Sequence, residues 1–445
     1  MAPTDPLSTH RGGNETYRLW PPPSGVVTRP TRGELLAGVE ALRQARAELR
    51  RLGLDGVLSA LAEVRRNWLD GESPWCAATA ARLAESTGFH PKMITHALPF
   101  HFEALEPAAI RQLLTEELGD PWRPWLEPEE GPAILLHVLA GNLPGLAAWP
   151  VFLTLAVGAA AIVKPGAGDP LFPHLLVESL HQVSPVLAAA VWVLPWRGGD
   201  AGVEEVVFGA ADAVVAQGRD STMAALAAWV PDKLVAYGER VSFAWVGREI
   251  TEDVQAMREA AHRVAYDVAV WDQRGCRSPH VCWVECSSGK MLGEFAHCLA
   301  EEFAAWAEKL PPRRMSLAEQ VAVRRFRDEA RWSGNRLLCS EEDLSWAIAV
   351  EVHPSLNGTC GNRCLRLQPV GSVEELCRLV TMRREVLEAA GLAVAPERFA
   401  VVAAALGEAG VPSVVEAGTM QKPTLRWKPG GRPRVAEWFE KRRPR

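Results

Sequence analysis

Between Pro132 and Gly238 the chain reads AILLHVLA (133–140), AAAIVKP (159–165), AVWVLPW (190–196), ADAVVAQG (211–218) and KLVAYG (233–238), with longer stretches of helical spacing between the runs. Short runs that are apolar on both faces suit strands covered by helices above and below, so the alternation reads as βαβ units building a parallel sheet. Such sheets take their ligands at the carboxyl ends of the strands. Four runs lead into polar or glycine-bearing turns there: GNLPG (141–145), KPGAGDP (164–170), GGD (198–200) and GRDST (218–222). None is a G-x-G-x-x-G fingerprint, and spacing alone does not specify a nucleotide.

Downstream, VSFAWVG (241–247) precedes a helical segment to about Val270, then WDQRGCRSPH (271–280) and the strand-like VCWVEC (281–286). A helical region spans Leu292 to Leu310, RCLRLQPV (363–370) reads as a strand, and a helix begins near Glu374. The stretch APERFAVVAAALGEAGVPSVVEAG (395–418) reads as a helix and a strand returning to the first sheet. Upstream, Thr31 and Glu34 form a capping box, after which Leu35, Val39, Leu42 and Leu49 recur at helical spacing. Leu54, Val57, Leu58, Leu61 and Val64 resume it beyond Gly53, and amphipathic segments continue to about Leu118. The fold class is therefore α/β with an N-terminal helical layer. The expected divisions are a loose leader (1–30), a helical region (31–128), a cofactor-binding domain (129–270), a catalytic domain (271–390) and a terminal segment (391–445) returning to the cofactor domain.

A chain of 445 residues, 48% apolar and 23% charged, exceeds one typical core and suits two folded domains. Its net charge of −6 excludes a nucleic-acid platform from the expected functions. The first thirty residues show no apolar run behind a basic start, so the nine cysteines are expected as free thiols in a reducing, cytoplasmic setting. The apolar stretch Leu143–Val163 contains Pro144, Gly145, Pro150 and Gly158 and runs into Lys164, which reads as a buried helix and strand rather than a membrane span. Cys282 and Cys286, like Cys360 and Cys364, are spaced C-x3-C. A zinc site would need all four to converge, and buried structural thiols with no metal are the expectation.

Cys276 follows Gly275 and lies between Arg274 and Arg277. A small neighbour and two cations would leave a thiol accessible and lower its pKa, although a cysteine among arginines also arises without function. Asn142 follows a strand, where its amide can face a developing oxyanion or simply build a turn. Lys164 ends a strand, placed either for a ribose or phosphate or as an ordinary exposed terminus.

Taken together, GN-x-P, then VKP about twenty residues on, a glycine turn after a strand, and Q-x-x-C resemble the aldehyde dehydrogenase superfamily. HVLAGNLPG, IVKPGAGDP, ADAVVAQGRDST, AYGERVSF and WDQRGCRSPH resemble, more narrowly, the LuxC-like fatty acid reductases of bacterial luminescence, from about Leu54 to about Trp438. The resemblance implies an aldehyde dehydrogenase-like fold with a Rossmann-type cofactor domain, in which Cys276 attacks an acyl thioester while Asn142 and the Cys276 N–H hold the oxyanion. It places Lys164 and Pro165 on the adenosine ribose side of the cofactor, Gly218 and Arg219 at the turn facing the nucleotide, and Gln273 in the shaping of the cysteine loop. Hydrolytic members carry a glutamate where Ala236 stands, and NAD-preferring members often carry an acid where Ala167 stands. With Arg219 as a phosphate partner, NADPH is expected, and NADH is the alternative. The luminescence enzymes tend to have a tryptophan followed shortly by Asp-Gly near the end, where this chain has Trp427, Lys428, Pro429, Gly430 and Gly431. The implied reaction is reduction of an acyl-CoA to the aldehyde, with an acyl-activating ligase or transferase as partner and a homo-oligomeric state. The rivals are an oxidative aldehyde dehydrogenase and a non-catalytic subunit that keeps the fold.

Overall fold

A computed structural model describes residues 30–441 apart from 128, 130 and 287. The expected leader lies outside the described residues except for Pro30. Five strands form the first sheet: β1 (Ile134–Val138), β2 (Ala160–Lys164), β3 (Val191–Val193), β4 (Ala213–Gln217) and β5 (Leu234–Tyr237). Their order is β3-β2-β1-β4-β5, and every pairing is parallel. The crossovers are helices, and all five residues of β1 are buried, as two covered faces require. The apolar stretch from Leu143 becomes a buried helix (Ala148–Ala156) followed by β2, and among the described residues no helix is long and apolar enough to cross a membrane.

The second sheet has seven strands: β6 (Val241–Val246), β7 (Pro279–Glu285), β8 (Arg336–Cys339), β9 (Ala347–Val350), β10 (Cys364–Val370), β11 (Leu387–Ala393) and β12 (Val414–Glu416). Their order is β12-β11-β6-β7-β10-β9-β8, parallel except for the β8–β9 pair. Two expectations are corrected here. VSFAWV, placed in the 129–270 block, belongs to the second sheet, where Phe243 pairs with Val281 and Ala244 with Cys282. The strand in 391–445 does not return to the first sheet, because β12 pairs with β11. The helix Pro396–Glu408 buries Val402 and Leu406 in the same cluster as Phe243 and Leu392, so this βαβ unit closes on the sheet it leaves. Residues beyond it do cross over: Leu425, Val435 and Trp438 join the core of the first sheet.

The N-terminal layer shares that core. Helix α1 (Arg32–Leu69) starts at the Thr31/Glu34 capping box and kinks at Gly53, whose φ of 68° lies in the left-handed region. It lies against the first sheet so closely that a Cβ on Gly38 would come within 2.5 Å of the Trp192 ring. Arg50 donates to the carbonyls of Pro124 and Trp125 within the layer, and Arg46 donates to that of Gly158, which ties the layer to the turn ahead of β2.

Candidate active site

The loops at the carboxyl ends of β1 and β2 pack backbone to backbone. A Cβ on Gly166 would sit 2.4 Å from the Gly141 nitrogen, and one on Gly168 would sit 2.3 Å from the Gly141 oxygen, so only glycine fits this contact. Asp169 ties the same loops together by accepting from the Phe172 N–H at 3.2 Å and from Gly145. Burial pushes its carboxyl up to about 7 against those two hydrogen bonds. Beneath GNLPG lies His101, contributed by the helical layer. A Cβ on Gly145 would approach its ring to 2.3 Å, and burial pulls the imidazole down to about 4, so it is neutral. The helical layer shows no site motif in the sequence, and nothing local links His101 to a loop that begins forty residues on.

Lys164 ends β2 half-buried, with Nζ 5.2 Å from the Trp196 ring centroid. Burial lowers its pKa while Glu204 raises it. Pro165 is buried beside it, and Ala167 is exposed and carries no carboxylate. Gly218 follows β4 with a φ of 153°, which a side chain rarely adopts. Arg219 is exposed as the N-cap residue of the helix Asp220–Trp229. These are cations and side-chain-free backbone at the carboxyl edge of a parallel sheet, a donor set that fits the phosphates and ribose hydroxyls of a nicotinamide dinucleotide.

Cys276 sits on a loop whose backbone is unusual. Trp271, Asp272 and Gln273 are all left-handed, with φ of 57°, 50° and 60°, at a cost of order 1–2 kcal/mol each. Buried partners hold them there. Trp271 packs edge-on to Phe89 and donates its N–H to Met93 Sδ at 3.2 Å. The Asp272 carboxylate pairs with Arg363 and accepts the Arg313 N–H at 2.9 Å. The Gln273 amide reaches across to β10, donating to the Cys364 and Pro279 carbonyls and accepting the Cys364 N–H, all at 2.7–2.8 Å. That gives Gln273 the loop-shaping role that its motif position implied.

The two loops meet. Asn142 Nδ2 donates to the Arg274 carbonyl at 2.6 Å, and Arg274 Nε donates back to the Asn142 carbonyl at 3.3 Å. Asn142 Oδ1 is buried with no protein partner. Ser242 Oγ on β6 donates to the Cys276 carbonyl at 2.8 Å and accepts the Ala389 N–H from β11. Gly275 is closely packed: a Cβ would meet the side-chain ends of Gln421, at 3.3 Å from Oε1, and Ser278, at 3.4 Å from Oγ.

Cys276 is exposed, as its setting in the sequence implied, yet the expected fall in its pKa does not occur. Protein atoms crowd the thiol even though solvent reaches the residue. Burial pushes it up to about 12, Glu388 adds to the rise, and Arg277 and Arg434 oppose it. Solvent contact decides whether a substrate can reach the sulfur, and the direction of the shift says that the resting thiol is protonated. Arg277 does lower the pKa, but by less than burial raises it, and Arg274 is not among the groups that act on the thiol. Arg274 is ion-paired with Glu319 at 2.6 Å, while Arg277 donates to the Met420 carbonyl and Ser413 and lies over the Trp427 ring.

Glu388, missed in the sequence, is buried on β11 near the thiol. Its carboxylate accepts from Trp427 Nε1 at 2.7 Å and from the Gly430 N–H at 3.2 Å, and burial raises its pKa. The segment bearing Trp427 also covers the end of β5. Arg432 donates to the Ala236 carbonyl at 2.8 Å, and the buried Arg434 guanidinium lies over both Trp149 and Trp427. The WKPGG sequence that departs from the family pattern is thus part of the wall around Cys276.

Comparison with known proteins agrees with this geometry. The family model described as acyl-CoA reductase (LuxC) matches residues 49–429. The chain belongs to the acyl-CoA reductase (LuxC) family. A long-chain acyl-protein thioester reductase of Vibrio harveyi is 26% identical over 251 residues, which cover 55% of this chain and 50% of that protein. One of the same description from Aliivibrio fischeri is 22% identical, with coverage of 62% and 59%. The match therefore spans about half the length of these relatives. Among solved structures, an indole-3-acetaldehyde dehydrogenase complexed with NAD+ superposes with a TM-score of 0.72 at 15% identity, covering 94% of this chain and 88% of that one. A Mycobacterium tuberculosis aldehyde dehydrogenase with NAD+ gives 0.68 at 14% identity, with coverage of 88% and 84%. The LuxC-family chain has the aldehyde dehydrogenase fold.

Proposed function

We propose that this chain reduces a fatty acyl thioester to the aldehyde, with Cys276 as nucleophile and a nicotinamide cofactor as reductant. The observation that carries the reading is an exposed cysteine on a braced loop, cross-linked by hydrogen bonds to Asn142, with alanine where a water-activating acid would stand. The Cys276 sulfur attacks the acyl carbon, its proton leaves with the departing thiol, and a thioester to Cys276 remains. Asn142 uses one amide N–H on the Arg274 carbonyl and has a second for the oxyanion, alongside the Cys276 N–H. Lys164, Pro165, Gly218 and Arg219 would hold the cofactor, which when bound supplies the hydride that reduces the thioester. Collapse of the hemithioacetal then frees the aldehyde and restores Cys276.

NADPH is the proposed form, because Ala167 offers no carboxylate to repel a 2′-phosphate and Arg219 is exposed at the turn; NADH is the alternative. The curated relatives are named for acyl-protein substrates, so an acyl chain on a partner ligase or transferase stands beside acyl-CoA as donor. The chain is proposed to act in the cytoplasm as a homo-oligomer. One observation favours oxidative, water-consuming chemistry: Glu388 lies near the thiol. Its carboxylate is 2% exposed and already accepts from Trp427 and Gly430, which leaves it poorly placed to activate water.

The test is NADPH oxidation with a series of acyl-CoAs, comparing the natural chain with Cys276→Ala. Aldehyde that forms only with Cys276 present supports the reading. NAD-dependent conversion of aldehydes to acids, with no turnover of any acyl-CoA, would replace it with the dehydrogenase.

A further inference from the structure

Opposite the left-handed run of the cysteine loop stands a second one: Gly361, Asn362 and Arg363, with φ of 68°, 54° and 58°, between Cys360 and Cys364. The two runs are joined directly. The Asn362 N–H donates to the Asp272 carbonyl at 3.1 Å, Arg363 pairs with the Asp272 carboxylate, and Gln273 grips both the N–H and the C=O of Cys364. The tight turn brings its two end cysteines together, and the Cys364 N–H donates to the Gly361 carbonyl at 3.2 Å. Both side chains pack in one small cluster, Cys364 fully buried and Cys360 partly open, and both are free thiols. Cys339 packs against that cluster but lies two strands from Cys364, with Ala347 between them in register. Two strand spacings of about 4.8 Å exceed the Cα separation that a disulfide spans.

We propose that Cys360 and Cys364 are an oxidisable dithiol, a site for hydroperoxides, and that their disulfide disables the Cys276 loop through Gln273 and Asp272. The Cys360 sulfur attacks the O–O bond, an S–O bond forms, and the leaving hydroxide takes a proton, which makes Cys360 a sulfenic acid. The Cys364 sulfur then displaces the sulfenic oxygen as water with loss of its own proton, and an S–S bond forms. The sum is two thiols and one hydrogen peroxide to one disulfide and two waters. The division of labour follows from the contact between the thiols. The neighbouring Cys364 thiol holds the Cys360 thiol below its ordinary range, while the Cys360 thiol and burial push Cys364 well above it; the Cys360 and Cys364 sulfurs also donate to the Gly361 and Asn362 carbonyls. A disulfide would constrain the very backbone that the Gln273 amide grips, the Cys364 N–H and C=O. Cys276 follows Gln273 by three residues.

Trypsin cuts after Arg363, between the two thiols. In the full chain carrying Cys276→Ala, treatment with hydrogen peroxide should leave the two flanking peptides linked, and Cys339→Ser should not prevent the link. Free peptides, or a link to any other cysteine, would overturn the site. The coupling is read separately, and only this arm rests on the proposed reductase activity. With acyl donor present so that Cys276 is acylated, peroxide should lower aldehyde formation about tenfold, a thiol reductant should restore it, and Cys360→Ser should resist. Equal loss in natural chain and variant would overturn the coupling while leaving the disulfide result intact.

Discussion

The loops at the end of the first sheet are held by backbone against backbone, whereas the Cys276 loop of the second is held by side chains reaching in from distant segments. Gly141, Gly166 and Gly168 touch without intervening side chains, so that contact is written into two short motifs. The cysteine loop depends on Phe89, Met93, Arg313, Arg363, Cys364 and Gln421, none of them within its own motif. The first arrangement has little room for any larger residue. The second spreads a strained turn over many partners, so that its conformation depends on each of them.

Changes at Asn142 test where the two loops meet. Asn142→Ala removes both the proposed oxyanion donor and the clasp on Arg274, and kcat should fall about 100- to 1000-fold. Retained kcat with a raised KM would show that the amide positions substrate only. Gln273→Ala takes a donor from two buried carbonyls and leaves the Cys364 N–H only the Gly361 carbonyl, and should destabilise the chain by about 3 kcal/mol in denaturant unfolding. A loss under 1 kcal/mol would mean that the loop does not depend on β10.

Labelling of Cys276 by a thiol-directed alkylating agent should be slow at neutral pH and rise about tenfold per pH unit to at least pH 10, because the raised pKa keeps the resting thiol protonated. A plateau below pH 8 would show that Arg277 and Arg434 outweigh burial and Glu388. The smallest effect belongs to the cofactor edge. Arg219→Ala should raise the KM for NADPH about fivefold and leave that for NADH unchanged, as loss of one exposed phosphate contact implies; equal changes for both would remove the 2′-phosphate argument.

The same contrast explains what the sequence disclosed. The βαβ rhythm of the first sheet and its polar turns lie in contiguous stretches and could be read directly, whereas Asn142, Lys164, Gly218 and Cys276 took their proposed roles from the resemblance of their motifs to a known family. β11 could not be read, because LEAAGLA is rich in alanine, a helix former, and becomes a strand only through burial between β6 and β12. Glu388 was hidden with it. The pKa of Cys276 is not legible in the sequence for a related reason: burial and Glu388 come from distant segments, while Arg274 is drawn off by Glu319, an ion pair across forty-five residues. Trp427 looked like an unfaithful terminus and proved to be packed against Arg277 and Arg434 beside the thiol.

The most direct test is the mass of the intact protein after exposure to a long-chain acyl-CoA in the absence of any nicotinamide. The account predicts a stable gain of one acyl group on Cys276, absent from Cys276→Ala and discharged as aldehyde when NADPH is added. No adduct, or an adduct that water clears to the free acid before NADPH arrives, would contradict it.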